Sequence, residues 1–108
     1  MSEREARIAR NEAVAREINE GIEDARPTTS AEYLRMVCEC GRPDCSSVIA
    51  ISIQEYEGVR ADPRTFVLDH GHVSPDVEET VRTTDRFVVV RKREGTPAAI
   101  AEEEDPRS

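Results

Sequence analysis

Three cysteines within eight positions, Cys38-Glu39-Cys40-Gly41-Arg42-Pro43-Asp44-Cys45, and a histidine pair further on, His70-Gly71-His72, constrain this chain more than anything else in it. They are its only cysteines and its only histidines. Three thiols and one imidazole are the ligand set of a Cys₃His zinc site. A fold that uses them must bring the cysteine loop and the histidine step to one point.

Such a staple would help a chain of this composition. With 108 residues it fits one domain, and with 37% apolar and 4% aromatic residues its core must be modest. Small domains bury a smaller share of their surface than large ones and gain from a metal. The formal net charge of −8 opposes binding to a phosphate backbone or an anionic membrane and favours contact with a basic protein surface. No apolar run approaches the length of a membrane span, and the charged start Met1-Ser2-Glu3-Arg4-Glu5 is not a signal peptide, so a cytoplasmic protein is expected. In a reducing compartment an odd number of cysteines points to metal or redox chemistry over disulfides. Lys92 is the sole lysine among many arginines, which suggests a high-GC genome more than a function.

The spacing predicts a helix from Glu3 to Asp24, with Ile8, Asn11, Ala15, Ile18 and Ile22 on one face. That face is expected to pack on the domain's own sheet, or else to form a dimer seam with Asn11 setting the register. Pro27-Thr28-Thr29-Ser30 reads as a linker. Tyr33–Cys38 and Val48–Ser52 read as strands of a hairpin closed by the cysteine loop. Leu34, Met36 and Cys38 share a face of the first strand, as Ile49 and Ile51 do of the second. Ser52-Ile53-Gln54-Glu55 is a capping box opening a helix to about Arg60, with Tyr56 and Val59 inward and Asp62-Pro63 as its stop.

Thr65–Leu68 reads as a short strand leading to His70. Ser74-Pro75-Asp76 reads as a second helix start, with Val77 and Val81 on its buried side. The valine run in Arg86–Arg91 reads as a central strand covered on both faces. Residues 96–108, ending Glu102-Glu103-Glu104-Asp105-Pro106-Arg107-Ser108, read as an acidic disordered tail behind a domain of residues 1–95. The fold class is α+β: an N-terminal amphipathic helix, a small mostly antiparallel sheet, two short helices and a zinc-knuckle-like loop.

Within the loop, Cys38 and Cys40 stand two apart and share a face if the strand continues through them. Gly41 permits a tight reversal, and Arg42-Pro43-Asp44 is turn chemistry that returns Cys45 to the same ion. His72 is the favoured fourth ligand, because Gly71 frees the backbone before it and Ser74-Pro75 can pin it afterwards. His70, Asp44 and Asp69 are the alternatives. A complete shell of protein ligands is structural, and three thiolates make a bound water a poor nucleophile. The competing readings are a buried apolar trio of cysteines and a thiol redox switch near Arg42. Arg91-Lys92-Arg93 is a small basic patch, read first as edge protection and second as a nucleic-acid contact. No Ser-His-Asp order, phosphate-binding glycine loop or H-E-x-x-H helix is present.

Val37–Cys45, then Glu55–Val67 with its Arg60-Ala61-Asp62-Pro63-Arg64 core, then Gly71-His72 resemble a family of small, mostly uncharacterised actinobacterial proteins. The resemblance runs over about residues 8 to 93. It implies that the three cysteines and His72 are matching positions and that His70 is peripheral, and it implies no particular activity. The expected function is a structural-zinc domain that binds another protein through an exposed Arg60–Arg64 loop, as a monomer or as a homodimer through the first helix. A thiol/zinc redox sensor, a zinc hydrolase using His72 or a carboxylate as base, and a nucleic-acid binder are the alternatives.

Overall fold

The computed structural model describes residues 3–25 and 33–107. The linker expected at Pro27–Ser30 lies outside these residues, as do Met1, Ser2 and Ser108. In chain order the elements are α1 (Glu3–Asp24), β1 (Leu34–Val37), β2 (Val48–Ile51), α2 (Ile53–Arg60), β3 (Thr65–Leu68), β4 (Glu78–Thr83), β5 (Val88–Lys92) and α3 (Thr96–Glu103). The fold is α+β, as expected, but its strands form two small antiparallel sheets: the β1-β2 hairpin and a three-stranded sheet in the order β3-β5-β4. Among the described residues no helix is long and apolar enough to cross a membrane.

The hairpin follows from the alternation in its strands. Met36 faces Ile49 across the pair, and Met36, Ile49 and Ile51 are buried. β5 is the central strand of the second sheet, with Phe66 of β3 opposite Val90, and its Val88, Val89 and Val90 are all buried. These residues form one core with Tyr56, Val59, Phe66, Val67, Leu68 and Phe87, and Cys38 and Cys40 belong to the same cluster.

α2 starts where the capping box places it. Ser52 Oγ accepts the Glu55 N–H at 3.1 Å, and Glu55 Oε1 accepts the Ser52 N–H at 2.9 Å. The Glu55 carboxylate also receives two Arg86 guanidinium N–H groups, at 3.0 and 2.6 Å. The bonds from Arg86, opposed by partial burial and helped by Ser52, hold its pKa down at about 2. A depressed carboxylate pKa adds stability that is present above the unfolded value near 4.5 and is lost as pH falls through about 2. After allowance for solvent screening of this half-buried pair, Glu55→Gln is expected to lower stability by about 1–2 kcal/mol at pH 7. Urea unfolding of the two proteins should show that gap narrowing between pH 4.5 and 2.

Four expectations are corrected. Ser74-Pro75-Asp76 opens a turn, not a helix: the Val77 and Glu78 N–H groups both donate to Ser74 O at 3.1 Å, and β4 follows. The Glu78 carboxylate folds back to accept the Ser74 N–H at 2.9 Å, and the segment behind it pairs with β5. Strand pairing therefore overrides the local cap signal, and Val81 is exposed instead of buried.

The tail is also ordered. Gly95 turns the chain at a φ of +101°, and α3 then buries Ala98 and Ala101. Beyond α3, Asp105 pairs with Arg60, while Arg107 reaches Glu20 at 2.9 Å and Glu57 at 2.9 and 3.0 Å. The acidic composition thus marks ion pairing and not disorder.

Arg60–Arg64 is only partly exposed: Ala61 is open to solvent and Asp62, Pro63 and Arg64 are half-buried, but its first residue is not free to make contacts. Arg60 is buried against Glu20 and Asp105, and Pro63 O accepts a hydrogen bond from Arg16 at 2.8 Å. Finally, the buried face of α1 is shifted round the helix from the one its isoleucines mark, on which Ile8, Asn11, Ala15 and Ile22 are half-buried and Ile22 packs on the core. The buried residues of the helix are Glu12, Ala13, Arg16, Asn19 and Glu23, whereas Ile18 is 49% exposed. The Asn11 amide donates within the chain, to Gly41 O at 3.1 Å.

Most of the buried polar groups of α1 find partners, although Arg16 Nε has no hydrogen-bond partner among the described residues. Arg16 donates to Pro63 O and Ala101 O, both at 2.8 Å, with its guanidinium 4.5 Å over the Phe66 ring. Glu12 pairs with the Lys92 ammonium, which also lies 2.5 Å from Glu78. Burial pushes the Glu12 carboxyl up to about 7 against the pull of Lys92. Hydrogen bonds and ion pairs satisfy most of these groups, which offsets the cost of burying a polar helix face.

Candidate metal centre

The cysteine loop joins β1 to β2 and is shaped by backbone contacts. The Cys38 N–H donates to Ser47 O at 3.1 Å, and the Cys45 N–H donates to Arg42 O at 3.1 Å, closing the Arg42-Pro43-Asp44-Cys45 turn. Gly41 sits at a φ of +74°, and α1 packs directly on it. A Cβ there would stand 2.5 Å from Ile8 O and 2.6 Å from Glu12 Cγ. Gly41→Ala is therefore expected to lower stability by about 2–3 kcal/mol, measured as a shift in the urea midpoint at unchanged slope.

His72 arrives from the other sheet. After β3 the chain reverses through Gly71, at a φ of +80°, and the His72 N–H donates to Asp69 O at 3.2 Å. This turn sets His72 Nδ1 3.6 Å from Cys38 Sγ and 3.5 Å from Cys45 Sγ. The ligand atoms of Cys38, Cys40, Cys45 and His72 all lie within 4.8 Å of one another. Sulfur and nitrogen bound at the corners of a tetrahedral zinc ion stand roughly 3.6 Å apart, given bonds of about 2.3 and 2.0 Å. The observed separations match that edge, so the cluster is compatible with a bound metal.

The remaining candidates stand apart. His70 is exposed, with Nε2 2.7 Å from Thr84 O. Asp44 is exposed, and the Asp69 carboxylate accepts the His70 N–H at 2.9 Å. Asp69 contributes through its backbone instead, donating its N–H to Cys38 Sγ at 3.1 Å.

Burial pushes the Cys38 and Cys40 thiols up; the sulfurs of Cys40 and Cys45 add to the rise at Cys38, and at Cys40 the Cys45 sulfur adds to it while the hydrogen bond with Cys38 opposes it. For Cys45 burial acts in the same direction, but hydrogen bonds from Ser47 and from the neighbouring thiols outweigh it, and the net shift is downward. Three sulfurs this close cannot all ionise in a half-buried loop without a cation among them. A divalent metal bound among them would supply that charge.

Glu39, which the sequence reading passed over, anchors the loop from below. It is fully buried between the two cysteines. Its Oε2 accepts the Asn19 amide at 2.8 Å and the Tyr56 hydroxyl at 3.1 Å, and its Oε1 accepts the Val67 N–H at 3.0 Å. The Glu39 N–H in turn donates to Val67 O at 2.9 Å. Burial raises its pKa, while these donors and Arg16 pull it back. Alternation was the available signal: if Cys38 and Cys40 share one face, Glu39 points to the other, into the domain.

The Arg91-Lys92-Arg93 run makes no basic patch. Lys92 is buried between two carboxylates, Arg91 pairs with Asp62 at 3.1 Å, and Arg93 donates to Pro75 O at 2.9 Å. A cleft of 460 Å³ opens between α1 and the Ser74–Val77 turn, but the Lys92 ammonium lining it is already held by Glu12 and Glu78. Comparison of the chain with protein-family models, with curated proteins and with solved structures finds no match, so the reading of this centre rests on its own geometry.

Proposed function

We propose that this protein is a small interaction domain whose cysteine loop is held by one structural zinc ion on Cys38, Cys40, Cys45 and His72. The observation that carries the reading is the convergence of those four ligand atoms within 4.8 Å. Soft thiolates with one imidazole favour zinc over harder cations, and four protein ligands complete a tetrahedral shell without an open position. That supports a structural site over a hydrolytic one. The net charge of −8 supports a protein partner over a nucleic acid.

Native mass spectrometry of the purified protein beside Cys45→Ser and His72→Ala tests this. One zinc per chain is expected, lost in Cys45→Ser and weakened in His72→Ala. A folded wild type that carries no metal would overturn it.

A redox variant of this reading is favoured by one feature: Cys45 is half-buried while Cys38 and Cys40 are buried. On that reading mild peroxide releases the metal with Cys45 oxidised first. Release no faster than from a fully buried zinc finger, with all three cysteines equally protected, would sink it.

A further inference from the structure

Beneath the first half of α1 the buried charges do not balance. Three carboxylates, Glu12, Glu39 and Glu78, are buried there with two cations, Arg16 and Lys92. Both cations approach one ring, Arg16 at 4.5 Å and Lys92 at 5.3 Å from the Phe66 centroid. The buried charges further along have partners of their own. Glu23 lies 3.7 Å from Arg107, and Arg60 pairs with Glu20 and Asp105. One negative charge is therefore left over in the cluster. Keeping a carboxylate ionised in a buried site without a cation of its own is costly, and uptake of a proton removes that cost.

The hydrogen bonds single out the carboxylate that takes it. Glu39 uses both oxygens as acceptors, for the Asn19 amide, the Tyr56 hydroxyl and the Val67 N–H. Glu78 does the same: Oε1 accepts from the Lys92 ammonium at 2.5 Å and Oε2 accepts the Ser74 N–H at 2.9 Å. On either residue a proton would sit on an oxygen that a donor already uses and would weaken that bond. Glu12 accepts at Oε2 alone, from Lys92, and its Oε1 accepts no hydrogen bond among the described residues. Glu12 also lines the cleft between α1 and the Ser74–Val77 turn, together with Arg4, Glu5 and Asp76, so a proton can enter and leave from that side. Burial, opposed by Lys92 and reinforced by Glu78 and Glu39, raises its pKa from 4.5 to about 7, in the same sense.

We propose that Glu12 is a proton-operated latch: with a proton on Oε1 it fastens the first half of α1 to Lys92 of β5 beside Glu78 of β4, and above neutral pH it loses that proton and the fastening weakens. Without the proton, two carboxylates compete for one ammonium in a buried site. Glu12 and the Asn11 amide, which donates to Gly41 O at 3.1 Å, tie the first turns of α1 to the domain, so those turns are the part that loosens. A carboxyl that holds its proton more tightly folded than unfolded makes the domain lose stability as pH rises from 4.5 to about 7, with no further loss well above that. Glu55 acts in the opposite sense and at lower pH. None of the groups in the latch is a metal ligand, so it and the zinc reading fail separately.

The test is a carboxyl-carbon NMR titration of the full chain as purified, with metal content measured in each sample and Glu12→Gln, the neutral isostere, beside it. A Glu12 midpoint of about 7 is expected, well above the ordinary carboxylate range. Hydrogen exchange of the α1 amides, corrected for intrinsic rates, should lose roughly tenfold in protection between about pH 6 and about pH 8 in wild type. In Glu12→Gln protection should stay level. A midpoint in the ordinary carboxylate range overturns the proposal. So does a loss of protection that is the same in Glu12→Gln, or one that tracks metal loss in both proteins alike. Through-bond assignment of the Glu12 carboxyl to its own amide keeps the titration decisive even where the variant does not fold. A protein that carries no metal and still shows the raised Glu12 midpoint counts against the zinc reading alone.

Discussion

Removing the metal with a chelator is expected to lower the midpoint of thermal unfolding by roughly 15–30 °C. A ligand that binds only the folded state, present at a thousandfold its dissociation constant, adds about 4 kcal/mol. In a domain of this size each kcal/mol moves the midpoint by about 4–8 °C. The damage should be local first. Cys38, Cys40 and Cys45 belong to the hairpin loop, and His72 belongs to the turn after β3, so a metal bound by all four would tie the two sheets together. The β3-β5-β4 sheet keeps its own buried valines without it. Hydrogen exchange of the stripped protein should therefore show lost protection over 38–47 and 69–73 while β3 and β5 stay protected. A chelated protein that has given up its metal and melts within a few degrees of the loaded one would remove the structural role from the site.

Glu39→Ala should be the most damaging single substitution outside the four ligands, lowering stability by about 3–5 kcal/mol. It leaves the Asn19 amide, the Tyr56 hydroxyl and the Val67 N–H without their acceptor in a site with no exposure. Asn19 cannot turn to compensate, because the same side chain donates to Val37 O and accepts the Val37 N–H, both at 2.8 Å. Glu39→Gln is the informative companion. With its carbonyl in the place of Oε2, its amide nitrogen faces the Val67 N–H, donor against donor, at an expected loss of about 1–3 kcal/mol. Urea unfolding of the metal-loaded proteins reads both values. Because residue 39 joins two of the cysteines, both variants should also bind metal more weakly. A Glu39→Ala protein within about 1 kcal/mol of wild type would show that the buried carboxylate is incidental.

What could be read locally and what could not divide along physical lines. The capping box at Ser52, the hairpin around the cysteine loop and the strand at Thr65–Leu68 were legible because each depends on a few consecutive residues. The central place of β5 was legible from its valine run, since a strand covered on both faces has no polar side to show. The inward face of α1 was not. Its isoleucines mark a face that is half-buried, yet Arg16 and Asn19 shift the fully buried face round the helix because acceptors from Pro63, Ala101, Val37 and Glu39 await them there. Ser74-Pro75-Asp76 misled for a related reason, since β5 offered its neighbour more as a strand than a cap could offer as a helix.

The sequence by itself determined the donor set at Cys38, Cys40 and Cys45 and the turn that brings them near one another, because the spacing of donors and the freedom of Gly41 are local properties of the chain. For the fourth position the sequence favoured His72 over His70 and left the choice open, and only the tertiary structure shows His72 beside the sulfurs. Two histidines two residues apart are alike in chemistry, and the turn at Gly71 carries one toward the sulfurs and the other toward Thr84. The same holds for the two faces of α1. Which one is buried depends on partners up to 85 residues away, and no periodicity within the helix encodes where those partners will stand.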